Sequence, residues 1–106
     1  MTIMLPIRFS RSAPAAGSLA IQETRLHTPP DSHEPQRALI DLRNTGPDPV
    51  APGAVLCTFT GAGGAVLDTQ TVAVPEVAGH AALQAEAIYY SWPRAGAVTC
   101  RLDAPR

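Results

Sequence analysis

The residues best placed to do chemistry are two cysteines, Cys57 and Cys100, each within an apolar run. Both fall on the inward parity of the strands they would occupy. Bridged, they close a loop of about 44 residues, worth on the order of 4 kcal/mol in the chain-entropy model. Unbridged, they are small buried apolar side chains. The bridge is the expectation, and it implies an oxidising compartment or an extracellular particle. Cys57 with His80 would be a nucleophile–base pair, but a cysteine in mid-strand on the core face has no convergent geometry around it. The chain carries no Gly-x-Ser-x-Gly, no His-Glu-x-x-His and no protease-type cysteine motif, so no enzymatic activity is expected.

His27, Asp31, His33 and Glu34 cluster in one stretch and are chemically able to hold a divalent cation. Their spacing matches no established zinc pattern, and a solvated loop with neither metal nor cofactor is expected. "GAGGAV" at 61–66 has the look of a dinucleotide-binding loop, yet its third glycine is missing and a strand follows where a helix is required. It reads as a hairpin turn.

"YYSWPR" at 89–94 holds three of the five aromatic residues, followed by Arg94. Trp, Tyr and Arg are the residues enriched in binding hot spots. Tyr89, Tyr90, Trp92 and Arg94 are therefore candidates for a protein contact, together with Arg8 and Phe9 near the N-terminus. The same rings can stack on a sugar. In the plainer alternative one tyrosine faces the core and Trp92 covers the end of the fold.

The elements that position these residues follow from alternation. In 18–26, Leu19 and Ile21 share one face, Gln22 and Thr24 the other. In 37–43, Ala38, Ile40 and Leu42 oppose Asp41 and Arg43. Val55, Cys57 and Phe59 line one side of 54–60. In 65–74 the alternation slips, because Asp68 and Gln70 share the parity of Val66 and Val72, so a bulge or a two-sided edge strand is expected. Residues 81–90 favour helix on propensity, but their shortness and their Ile-Tyr-Tyr ending make them a strand. In 97–103, Val98, Cys100 and Leu102 point inward. Between the strands, 27–36 holds three prolines and no apolar side chain. After residue 43, Asn44-Thr45-Gly46 offers an Asx-type bond and a glycine tolerant of positive φ; Pro47, Pro49 and Pro52 then keep the chain out of any ladder. Six or seven short antiparallel strands without a convincing helix make an all-β sandwich of the immunoglobulin-like kind. Residues 18–106 form this domain, preceded by an extended N-terminal arm, 1–17.

The 106-residue length suits one core, and a net charge of −1 argues against nucleic acid as the main partner. No stretch approaches the roughly 18 apolar residues that span a bilayer, so membrane insertion is not expected. The N-terminus does not read as a secretory signal: Pro6 breaks its apolar part, and Arg8 and Arg11 follow instead of leading.

"ALIDLRNTGPDPV", "VLCTFTGAGGAVLDTQTVAVP" and "RAGAVTCRLDAP" resemble the bacterial immunoglobulin-like domains of the CARDB and FxLYD kind. Their turn pattern falls on Asn44, Gly46, Gly63, Gly96 and Asp103, across residues 18–105. The two cysteines and the proline-rich 27–36 loop depart from it. The resemblance implies a spacer, adhesion or interaction module of envelope and extracellular proteins, with no shared catalytic residues. A non-enzymatic subunit or accessory protein of an extracellular or virion-type assembly (decoration, tail, pilus or cell surface) is the functional expectation, working through a protein partner or self-assembly. A carbohydrate- or ligand-binding module using the Tyr89–Trp92 turn is the alternative.

Overall fold

Alternation over 36–44 puts Ala38, Ile40 and Leu42 on one side, and a strand with that pattern lays one face on a core. The computed structural model describes residues 18–31 and 33–103. Within them run six strands: β1 (Leu19–His27), β2 (Gln36–Asn44), β3 (Gly53–Thr60), β4 (Val66–Val74), β5 (Ala82–Tyr89) and β6 (Ala97–Asp103). They form two three-stranded sheets, ordered β1-β2-β5 and β4-β3-β6. Every pairing is antiparallel. The expected all-β sandwich is the observed fold, and its boundaries lie within two residues of those read from alternation. The arm, 1–17, and with it Arg8 and Phe9, lies outside the described residues.

The inward rows meet face to face. Ala38, Ile40 and Leu42 of β2 and Ala85, Ala87 and Tyr89 of β5 pack on Val55, Cys57 and Phe59 of β3, all of them buried. Tyr89 stacks on Phe59 across the two sheets, with centroids 5.1 Å apart, an arrangement that adds to plain area burial. β5 is a strand despite its helix formers. Ala85 and Ala87 face the core while Gln84 and Glu86 face outward, so packing overrides propensity.

The slip in β4 is a bulge. Phe59 faces Asp68 while Thr60 faces Val66, which leaves Leu67 as the extra residue. A second bulge, not foreseen, sits at Gln22: Ile21 pairs with Leu42, but Glu23 already pairs with Asp41. It reverses the parity downstream, so Thr24 and Leu26 turn toward the core and the expected outward placement of Thr24 is corrected.

β2 and β3 lie in different sheets, so the chain must leave one ladder and cross to the other between Asn44 and Gly53. That crossing is the proline-rich stretch. The Asx bond is present, with the Gly46 amide donating to Asn44 Oδ1 at 3.0 Å. Gly46 does not use positive φ, however. Among the described residues that conformation belongs to Gly64, at 89°, and His80, at 62°. Gly46 is needed for space, since a Cβ there would sit 3.0 Å from Ser18 Cβ. The crossing is pinned by paired bonds between Val50 and Val77 and by a bond from His80 N to Gly46 O. Under it lies Gly79, where a Cβ would stand 2.0 Å from the Pro47 carbonyl oxygen. Backbone cannot yield as a flexible side chain does, so Gly79→Ala is expected to cost about 2 kcal/mol and to lower the melting temperature by roughly 10 °C. A circular-dichroism melt reads it, and an unchanged midpoint would show that the crossing is free to move.

Candidate functional site

The end of the sandwich that carries the 27–36 loop also carries the 89–96 turn, and two buried or half-buried polar side chains join them. Gln36, the first residue of β2, shares the inward parity of Ala38 and Ile40 and is 2% exposed. Its Oε1 accepts from Ala95 N at 2.7 Å. Its Nε2 donates to Ala95 O at 3.0 Å and to Thr28 Oγ1 at 2.8 Å. All three hydrogen-bonding groups of a buried amide are thereby used, which is the condition for burying one without loss.

Arg94 performs the second junction. Its Nη2 donates to the carbonyls of Asp31, at 3.0 Å, and Glu34, at 3.1 Å, with Nη1 reaching Pro29 O at 3.5 Å. Its guanidinium stands 5.2 Å from the centroid of Trp92. The planar fork of arginine matches several carbonyls at once where a lysine would not. Within the loop the Glu34 amide donates to Asp31 O, and the His33 amide to Asp31 Oδ1.

These facts sort the expected contact residues. Tyr89 is withdrawn from them: it is 1% exposed, belongs to the core, and its hydroxyl donates to the carbonyl of Pro93. Arg94 is held by the loop carbonyls and keeps part of its surface outward. Tyr90 and Trp92 remain, 71% and 64% exposed, at the two sides of the residue that separates them. The plainer alternative is thus right about the tyrosine and wrong about the tryptophan, which projects instead of covering the core. Gln36 was placed by sequence in the proline-rich loop and given no role. The signal for it was its parity with Ala38, Ile40 and Leu42.

Between turn and loop lies a depression of about 70 Å³, lined by His33, Glu34, Gln36, Tyr90, Trp92 and Arg94. That is far below the roughly 300–1,000 Å³ of ordinary small-molecule sites. It can hold a few waters or the tip of a side chain. Among the described residues no three His, Cys, Asp or Glu side chains gather as a metal-holding set. Cys57 and Cys100 are joined as a disulfide, as expected. They are direct cross-strand neighbours on β3 and β6, within one sheet. The bridge removes the thiol that a Cys57–His80 nucleophile pair would require. Among the described residues no helix is long and apolar enough to cross a membrane. Arg25–Asp41 and Arg37–Glu86 pairs, at 3.4 and 4.0 Å, dress the exposed face of β1-β2-β5; exposed pairs of this kind contribute little.

Comparison with known proteins adds a fold and no activity. No family model matches the chain, and no curated protein matches it. Among solved structures, a crystal structure of a DUF1425 family member from Shewanella sp. pv-4 is similar, with a TM-score of 0.58 at 16% identity over 83% of this chain and 77% of that one. A likeness so remote in sequence speaks for architecture alone. The resemblance to CARDB and FxLYD domains therefore stands only at the coarser level of a small β-sandwich.

Proposed function

We propose that this protein is a non-enzymatic interaction module, a subunit or accessory protein of an extracellular or virion-type assembly, that meets a protein partner through the aromatic end of its sandwich. The observation that carries this reading is the pairing of two exposed aromatic residues, Tyr90 and Trp92, with a turn held rigid by Tyr89 and Arg94. Large rings on a preorganised backbone lose little entropy on binding, which is what contact residues need. The disulfide supports an oxidising location, since such bridges persist outside reducing cytosol.

Carbohydrate binding is less well supported. Stacking on a sugar calls for an open ring face or two coplanar rings. Arg94 stands over one face of Trp92, and the stacked aromatic pair among the described residues, Phe59 with Tyr89, is in the core.

The test places a photo-crosslinking amino acid at position 92 in cells of the native source, with Gln84, on the outer face of the β1-β2-β5 sheet, as control. A defined adduct from position 92 and none from 84 is the expected result. Equal adducts at both positions, or none at 92, overturn the reading. A shift of Trp92 emission with neutral oligosaccharides would put the sugar reading in its place.

A further inference from the structure

Among the described residues each sheet has three strands, so β6 ends the β4-β3-β6 sheet and faces the edge strand β1 across the core. The two strands on this side differ. β1 is interrupted by its bulge at Gln22, a usual device for blunting an edge. β6 runs in unbroken register against β3. Its inward side chains, Val98, Cys100 and Leu102, are only half-buried, while their counterparts Val55, Cys57 and Phe59 on β3 are fully so. The row is short of a neighbour.

Polarity points the same way. Cys57 and Cys100 are directly opposed with Cα atoms 4.1 Å apart, the close spacing of a non-hydrogen-bonded antiparallel pair. The N–H and C=O of Cys100, and by parity those of Val98 and Leu102, therefore point away from β3 toward the open edge. A strand laid there must present inward exactly those residues whose own backbone groups face β6.

The chain contains such a segment outside the described residues. In 2–9, Ile3, Leu5, Ile7 and Phe9 share one parity and Thr2, Met4, Pro6 and Arg8 the other. With the four apolar residues turned into the core, their N–H and C=O groups meet those of Val98, Cys100 and Leu102. Pro6 then falls on the outer edge, the place in a sheet where a missing donor costs nothing. Parity alone brings the apolar row, the ladder and the proline into agreement.

We infer that residues 3–9 add a seventh strand to the open edge of β6, and that they do so on a second copy of this chain. Attachment geometry decides between own and neighbouring sheet. Ser18 enters β1 beside the C-terminal end of β6, where Leu19 lines a small crevice with Leu102 and Asp103. To pair antiparallel with its own β6, the segment would run about 23 Å along the edge. Residues 10–17 would then have to return that length and cross about 10 Å between sheets. Eight residues reach at most about 26–29 Å, so they would be drawn out nearly straight. Every strand pairing among the described residues is antiparallel, and a neighbour's edge offers that geometry without the stretch. Such strand addition uses main-chain bonds for affinity and alternate side chains for register. Repeated head to tail it builds a chain or ring; exchanged reciprocally it builds a dimer. The inference deepens the assembly reading proposed above by naming a partner for a surface other than the aromatic end.

The experiment is light scattering of the full chain in non-reducing buffer over about 1–200 μM, beside the full-length Ile7→Asp variant, with amide exchange followed by NMR on both. The variant's β-sheet circular-dichroism spectrum serves as its folding check. The expected result is a mass above the monomer that Ile7→Asp weakens more than tenfold in apparent Kd, with Val98, Cys100 and Leu102 amides protected only in the assembling protein. A monomer at all concentrations overturns the inference, whether those amides are exposed or are protected by the chain's own arm. So does an assembly that Ile7→Asp leaves intact. Either failure leaves the crosslinking result at position 92 to judge the aromatic end separately.

Discussion

Replacing Asn44 with alanine is expected to lower the unfolding free energy by about 3 kcal/mol, a large fraction of the roughly 5–15 kcal/mol that holds a domain of this kind together. Asn44 is fully buried. Its Oδ1 accepts from Ser18 Oγ at 2.7 Å and from Gly46 N at 3.0 Å. Its Nδ2 donates to the carbonyls of Asp48, at 2.7 Å, Val77, at 3.1 Å, and Ala78, at 3.2 Å. One amide thus ties the start of β1, the sheet crossing and the 75–81 turn. Val77 O and Ala78 O keep backbone partners in Val50 N and Ala81 N, which is why the estimate is about 3 and not 5 kcal/mol. Asn44→Asp separates hydrogen bonding from simple space filling. It preserves shape and both accepted bonds, but turns an oxygen toward three carbonyl oxygens. It should be at least as damaging as alanine at neutral pH. The buried carboxyl would hold its proton more tightly folded than unfolded, so the folded state gains stability as pH falls. Urea titrations of the three proteins at two pH values read all of this. A loss below 1 kcal/mol for Asn44→Ala would mean that water takes over the amide's role.

The second large effect is expected at the bridge. Breaking it by Cys57→Ala with Cys100→Ala should cost about 4 kcal/mol, from the loop of some 44 residues it closes in the unfolded chain. The strands it joins are already hydrogen-bonded neighbours, so little native geometry depends on it, and the circular-dichroism spectrum should be unchanged in the absence of denaturant. The urea midpoint should fall and the slope should rise, because an unfolded chain without a cross-link exposes more surface. A midpoint within experimental error of the parent would show that the unfolded chain keeps β3 and β6 together without the bond.

The strands and the bridge were legible because both rest on local, repeating facts. Apolar residues two apart in 36–44, 53–60 and 97–103 have one economical solution, and two cysteines on inward parities need only their strands to pair. What escaped was decided by distant partners. The bulge at Gln22 depends on how β1 meets β2, and nothing within "LAIQETRLH" announces it. Gly46 was assigned to backbone freedom when its role is clearance from Ser18, 28 residues earlier in the chain. At the aromatic end, sequence chose the right neighbourhood. It could not divide Tyr89 from Tyr90, because adjacent strand residues face opposite ways and only the register against β2 says which goes in. Arg94 looked available for a partner since three backbone carbonyls of a distant loop leave no mark in composition.

The two buried amides stand at the first and last positions of the same strand, Gln36 and Asn44, with the apolar row between them. This gives β2 a form of error checking. A β2 displaced by a single residue would turn its apolar row to solvent, as any strand would, and would also pull both amides from their partners at opposite ends of the molecule. A displacement by two residues restores the apolar row, and hydrophobic pairing alone scarcely notices it. The amides do, because neither Ala38 nor Leu42 can satisfy the groups that Gln36 and Asn44 leave behind. The apolar row sets the parity of β2; its polar ends count the residues.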